Sequence, residues 1–162
     1  MKDFGIVGIR RAFYIVAAVL LCSASEVCSS AKTCSADAGV RLLLETQSNA
    51  WNHGDLDQFL TGYLPSDQTS YVSSGTEVRG IEALRDRYQK KYGNDRETMG
   101  KLSFSELKVQ NLGRTNALCI GHWKLDRSDK PTVSGIFSLV LARTNSGWKI
   151  MHDHTSVADA KK

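Results

Sequence analysis

The feature that most constrains the fold is the run of β-prone segments that fills the chain after residue 100. Turn sequences rich in Gly, Asn, Ser and Pro separate four such segments at 111–114, 128–131 and 145–147. Strands joined by short turns pair antiparallel, so these segments predict a four-stranded meander. A meander that follows a helical first half is typical of the α+β class. This order excludes the alternating βαβ pattern of a parallel sheet.

Two helices are predicted at the start of the folded part. Apolar residues recur at helical spacing between residues 40 and 51, and Asp37 is expected to cap this first helix. Gly54 ends the helix, and Asp55 caps a short second helix, which Pro65 stops.

A hairpin and a third helix are predicted next. The β-prone residues 69–73 and 77–78 flank a Ser74-Gly75 turn, which predicts a short hairpin. Gly80 then leads into a third helix, in which Ile81, Leu84, Tyr88 and Tyr92 follow one face.

The first 25 residues read as a signal peptide. Lys2, Arg10 and Arg11 precede a ten-residue apolar run at 12–21, and small residues follow at 23–25. Ten apolar residues are too few for a spanning helix, which needs about 20. The pattern predicts an exported protein, periplasmic or extracellular. An uncleaved anchor and a buried N-terminal helix are the alternatives, and the choice between general and twin-arginine export stays open.

The sequence divides the remainder into three parts. Residues 26–36 are mostly Ser, Ala, Cys and Lys and predict a flexible leader. The folded domain is expected at 37–157, followed by a polar tail at 158–162.

Four cysteines allow several outcomes in an exported chain. Cys28 and Cys34 could pair with each other in the leader, whereas Cys119 lies in an apolar run and is expected to be a buried free thiol. Lipidation at Cys22 ranks below simple export, because Leu21 is too large for the residue that precedes a lipidated cysteine.

The charge balance argues against two classes of partner. The full chain carries a formal charge of +4, and removal of residues 1–24 leaves 18 Lys and Arg against 16 Asp and Glu. No basic block is present, so we expect neither nucleic acid nor, after signal cleavage, a membrane as partner.

The strands of the meander carry apolar residues on both faces. Residues 136–141 are an example, with Ile136, Phe137, Leu139, Val140 and Leu141 nearly consecutive. One face should cover the helices, and the other needs a cover of its own. A homodimer packed sheet to sheet would supply it.

Five short segments in order carry a family resemblance. The chain resembles the SnoaL-like, or nuclear transport factor two-like, superfamily, and above all its bacterial members of unknown function, at residues 51–57, 75–84, 121–123, 135–140 and 147–156. The resemblance implies a cystatin-like fold, in which a cone-shaped, curved antiparallel sheet wraps around about three helices and leaves a conical pocket. The superfamily includes an isomerase, cyclases, dehydratases and an association domain, so the fold does not give the function.

The most distinctive polar cluster is His152, Asp153 and His154. On a strand the two histidines point to one face and the aspartate to the other. A histidine in an apolar pocket can act as a general acid or base near neutral pH, so His154, then His122, are the candidates, with Asp153 as an orienting group or as the base. Only two metal ligands are local, so no metal is expected. No Gly-rich phosphate loop is visible, and no cofactor is expected either.

Three functions remain open at this point. The favoured one is binding of a small, mostly apolar ligand in the conical pocket, by Trp51, Tyr71, Tyr88, His152 and His154. The first alternative is an isomerase-, cyclase- or dehydratase-type enzyme that uses a pocket histidine or aspartate. The second is a dimerisation or interaction module without catalysis.

Overall fold

The computed structural model describes residues 35–93 and 96–158, which belong to one compact unit. The helices are α1 (Ala36–Asn52), α2 (Leu56–Leu60), α3 (Ile81–Tyr92) and α4 (Arg96–Met99). The strands are β1 (Ser70–Ser73), β2 (Thr76–Arg79), β3 (Lys101–Asn111), β4 (Asn116–Arg127), β5 (Lys130–Thr144) and β6 (Gly147–Thr155). The predicted signal peptide with Cys22, and the part of the predicted leader that carries Cys28 and Cys34, lie outside the described residues. No described helix is long and apolar enough to cross a membrane.

All six strands form one curved sheet in the order β2-β1-β6-β5-β4-β3. The meander of β3 to β6 is antiparallel throughout, as predicted. The predicted hairpin of β1 and β2 joins the same sheet, because β1 pairs in parallel with β6. This pairing brings the first half of the chain beside the last strand, and the α+β class is confirmed.

The start of α1 differs from the prediction by two residues. The side chain of Ser35, not that of Asp37, caps the helix by accepting a hydrogen bond from the Ala38 amide at 3.3 Å. Asp37 lies in the first turn, where it suits the positive end of the helix dipole and pairs with Arg41 at 2.8 Å. Both residues are good caps by type, and only the backbone geometry distinguishes them.

The end of α1 follows the predicted pattern. Gly54 adopts a φ of +79°, a conformation that favours glycine, directly after the C-cap His53. The Asp55 side chain then caps α2 by accepting a hydrogen bond from the Gln58 amide at 2.9 Å. However, α2 ends at Leu60, before Pro65 is reached.

Two side chains fix α1 to the edge strand β3. Asn52 accepts a hydrogen bond from the Leu102 amide at 2.7 Å and donates one to the Leu102 carbonyl at 3.0 Å. Arg41 donates to the Leu107 carbonyl at 3.0 Å. The short helix α4, which the sequence did not reveal, ends just before β3 and brings Met99 into the core.

The two faces of the sheet have different surroundings. The face toward the helices, here called the inner face, carries the buried side chains Cys119, Phe137 and Leu139. Cys119 is a free thiol with a pKa raised by burial to about 11, as predicted for a buried cysteine. The opposite, outer face carries Ile120 and Ile136, which are 41% and 48% exposed.

Candidate functional site

A pocket lies between the inner face and the helices. It has a cavity volume of about 110 Å³ and is open to solvent at its mouth. Its walls come from α1, α2, α3 and all strands of the sheet except β2. Nine aromatic residues contribute: Trp51, Phe59, Tyr63, Tyr71, Tyr88, Tyr92, Phe104, Trp123 and Phe137. Among the described lining residues, only Lys91 and Asp153 carry a formal charge.

Strand register places Asp153 on the pocket wall. Asp153 on β6 stands between Tyr71 of β1 and Leu139 of β5, and all three side chains point to the inner face. A bulge at Met151 interrupts the regular pairing of β5 with β6. The carboxyl is 6% exposed, so an acidic group lies within a mostly aromatic cavity.

Two hydroxyl groups donate hydrogen bonds to the Asp153 carboxyl. The Tyr63 hydroxyl donates to Oδ2 at 2.8 Å and the Thr155 hydroxyl donates to Oδ1, also at 2.8 Å. Burial nevertheless raises the pKa of Asp153, and these hydrogen bonds offset only part of the rise. A carboxyl with a raised pKa can accept a proton or donate a hydrogen bond under milder conditions than an exposed one.

The tyrosines around Asp153 are held in their neutral form. Burial raises the pKa of Tyr63 and of Tyr88 well above the usual value, and the nearby Asp153 carboxyl raises both further. Burial likewise raises the pKa of Tyr71. The site therefore offers neutral hydroxyls and one carboxyl as its polar groups.

The histidines lie outside this pocket, which corrects the expectation that His154 is a pocket acid or base. His152 and His154 alternate with Asp153 along β6, so both point to the outer face, where His154 is exposed. His152 interacts with the Ser70 hydroxyl at 2.7 Å. His122 also lies on the outer face, 3.6 Å from the Glu106 carboxylate. Because β5 carries apolar residues on both faces, the sequence pattern could not predict which face lines the pocket.

Of the ligand-binding candidates, Trp51, Tyr71 and Tyr88 do line the pocket. Their role in binding stays a prediction, as does acid–base chemistry, for which Asp153 is the one predicted residue in the pocket. Among residues 35–93 and 96–158, no three His, Cys, Asp or Glu side chains are placed to hold a metal ion.

Sequence reasoning missed Tyr63, one of the two residues whose hydroxyls donate to Asp153. Tyr63 follows α2 and forms a parallel bridge with Ile150, with the Leu64 amide donating to the Ile150 carbonyl at 2.7 Å. The bridge holds Tyr63 next to β6, and 90 positions of sequence separate its hydroxyl from Asp153. No local pattern marks such a contact.

A curved sheet around helices with an inner pocket defines the cystatin-like, nuclear transport factor two-like class of fold. The family model described as a SnoaL-like domain matches residues 40–160. The chain belongs to this SnoaL-like family, as its resemblance predicted. A comparison with curated proteins gave no match.

Solved structures agree with this assignment. A nuclear transport factor two-like protein of unknown function from Shewanella oneidensis MR-1 is 34% identical, with a TM-score of 0.68 over 73% of this chain and 96% of that one. A cystatin-like domain of unknown function from Nostoc punctiforme is 16% identical, with a TM-score of 0.63 over 76% and 78%. A ketosteroid isomerase-like protein from Erwinia carotovora atroseptica is 16% identical, with a TM-score of 0.60 over 76% and 96%. The last two likenesses concern the fold alone.

Proposed function

We propose that the chain binds a small, mostly apolar ligand between the inner face and the helices. The observation that carries the proposal is the combination of an open aromatic cavity with one buried carboxyl, Asp153, and its hydroxyl partner Tyr63. Apolar walls supply affinity by removing ligand surface from water, and a few convergent polar groups fix its orientation. Asp153 and Tyr63 are the polar anchor in this proposal.

The cost of maintaining this cavity supports a binding role. A chain selected only for stability would fill such a space with side chains, because unfilled volume in a core is destabilising. Here, instead, an acid is buried at the cavity wall, although a desolvated carboxyl is unfavourable. Features that reduce stability in one place are typical of functional sites.

The proposal is tested by filling the pocket. N-phenyl-1-naphthylamine, a neutral apolar fluorophore, is expected to bind saturably with enhanced emission. Leu139→Trp places an indole in the cavity and should weaken binding at least about 10-fold, because displaced contacts of this size are worth more than 1.4 kcal/mol. Gln110→Trp is the matched control, since Gln110 is exposed on β3 and does not line the pocket. Equal binding by both variants would place the probe elsewhere and contradict the proposal.

We also propose that the chain forms a homodimer through the outer face. Ile120 and Ile136 are exposed there, with the half-buried Leu118 and Val140 on the same two neighbouring strands, β4 and β5. An apolar patch on the face of a sheet can pack against its own copy about a two-fold axis. The same association would cover apolar surface that a monomer leaves in water.

The dimer is tested by a charge on this face. Ile136→Glu should weaken association at least about 10-fold, because it would bury an unpaired carboxylate at the interface. Leu112→Glu is the matched control, since Leu112 is 45% exposed in the turn between β3 and β4, whereas Ile136 is 48% exposed on the outer face. Light scattering during size-exclusion chromatography measures both. A monomeric parent chain, or a dimer that survives Ile136→Glu unchanged, would refute the proposal.

A further inference from the structure

The mouth of the pocket has two positive charges at its border. Arg87 and Lys91 are four residues apart on α3 and therefore lie on the same side of the helix. Lys91 lines the pocket itself, and both residues line a small crevice beside it, together with Tyr71, Tyr88 and Tyr92. The positive groups are thus continuous with the aromatic walls.

Aromatic rings, not carboxylates, hold these two side chains. The Arg87 guanidinium carbon is 5.4 Å from the centre of the Tyr71 ring, and Lys91 Nζ is 5.0 Å from that of Tyr92. Within residues 35–93 and 96–158 neither cation has a salt bridge, whereas Arg85 on the same helix pairs with Asp57 and Glu82. Aromatic rings therefore position Arg87 and Lys91, and among the described residues neither has a carboxylate as charge partner.

We propose that the ligand of this pocket is an apolar acid, whose carboxylate binds Arg87 and Lys91 while its apolar body enters the aromatic cavity. The inference rests on the proposed binding function and adds the chemical class of the ligand. Arginine and lysine donate charge-assisted hydrogen bonds to carboxylates, which are stronger than neutral ones. The far end of the ligand meets Asp153 and Tyr63, which suit a neutral polar group such as a hydroxyl or a carbonyl.

The charge distribution disfavours the opposite ligand class at the mouth. An ammonium group there would meet two cations that form no salt bridge within the part of the chain that the structure describes, and like charges repel. Its only acidic partner among the pocket residues would be Asp153, and burial favours the neutral form of that group.

A matched set of probes separates these classes. 2-Naphthylacetic acid, 2-(2-naphthyl)ethanol and 2-(2-naphthyl)ethylamine share one apolar body and differ in charge at pH 7.5. Displacement of N-phenyl-1-naphthylamine from the purified chain gives the affinity of each. We expect the acid to bind about 3- to 10-fold more tightly than the alcohol, as two partly exposed ion pairs allow, and the amine to bind most weakly. Added salt should reduce the preference for the acid and leave alcohol binding unchanged.

A second experiment removes the positive charges at the mouth of the pocket. The double variant Arg87→Gln/Lys91→Gln should bind acid and alcohol about equally, and a far-ultraviolet circular dichroism spectrum that matches the parent chain would show that its fold is intact. Lys90→Gln/Lys108→Gln removes the same net charge from exposed positions that do not line the pocket, and should keep the preference.

Each other outcome contradicts a defined part of the account. If acid and alcohol bind equally to the parent chain, the acid assignment fails while the binding function stands. If the amine binds most tightly, Asp153 rather than the mouth selects the charge, and the proposal is overturned. If neither the three probes nor the fluorophore binds, the proposed binding function itself fails.

Discussion

Replacing Trp51 with alanine is expected to lower the free energy of unfolding by about 3–5 kcal/mol, the usual cost of removing a large aromatic side chain from a core. Trp51 is 3% exposed and packs edge-on against Phe59, Tyr88 and Tyr92, with ring centres 5.0, 6.0 and 4.8 Å away. Its indole N–H also donates to the Met99 carbonyl at 3.1 Å. The substitution therefore removes the centre of the aromatic wall and the link from α1 to α4 together.

Trp51→Phe separates these two contributions. Phenylalanine keeps most of the ring contacts but leaves the Met99 carbonyl without its donor, which should cost about 1–2 kcal/mol. Urea unfolding followed by far-ultraviolet circular dichroism measures both variants against the parent chain. A loss below about 1.5 kcal/mol for Trp51→Ala would show that the aromatic wall contributes little to stability.

Replacing Asp153 with asparagine is expected to stabilise the folded chain by an amount that grows with pH. Burial raises the folded pKa of Asp153 above its ordinary value of 3.8, so the folded state holds the proton to higher pH than the unfolded chain does. The stability that Asp153 contributes by holding this proton is fully present below the unfolded pKa. It is lost as the pH rises through the folded pKa. Asparagine has no such loss and can still hydrogen-bond both Tyr63 and Thr155.

The expected size of this gain follows from proton linkage. It approaches about 1.4 kcal/mol for each pH unit that separates the folded from the unfolded pKa, and it levels off above the folded pKa. Urea unfolding of both chains from pH 3 to pH 8 measures it. Asp126→Asn is the control of opposite sign, because hydrogen bonds from Lys124 and Thr132 lower the pKa of Asp126. The free energy of unfolding of Asp153→Asn is compared with that of the parent chain. If the difference stays constant or falls as pH rises, the raised pKa of Asp153 is contradicted.

Asp153→Asn also bears on the possibility of catalysis. An enzyme that uses Asp153 as general base would lose activity with asparagine, whereas a binding protein would keep much of its affinity for an apolar ligand. A variant that is more stable but less functional would fit the common trade-off at sites that bury a charged group.

The order of all described elements except α4 could be predicted from the sequence, because the turn residues are local signals. Gly54, Asp55 and the Ser74-Gly75 pair are found in the predicted caps and turn. The helix α4 has only four residues, too few for a periodic pattern, and was missed. The parallel pairing of β1 with β6 joins parts of the chain some 80 residues apart, and no local residue pattern specifies it.

The site was harder to predict than the fold because the sequence does not indicate which face of the sheet lines the pocket. Along β5, Ile136 and Val140 point outward while Phe137 and Leu139 point inward, so alternation gives no contrast between faces. The sequence therefore favoured the histidines of β6 as site residues, although Asp153 between them faces the pocket. The importance of Asp153 follows from its contact with Tyr63, which only the folded chain creates.

A crystal structure of the chain with 2-naphthylacetic acid tests the central claim most directly. The account predicts the naphthalene ring between the inner face and α1 and α3, in contact with Trp51 and Tyr88, and the carboxylate within hydrogen-bond distance of Arg87 or Lys91. Density for the ring on the outer face near Ile136, or an aromatic pocket that stays empty at saturating acid, would contradict it.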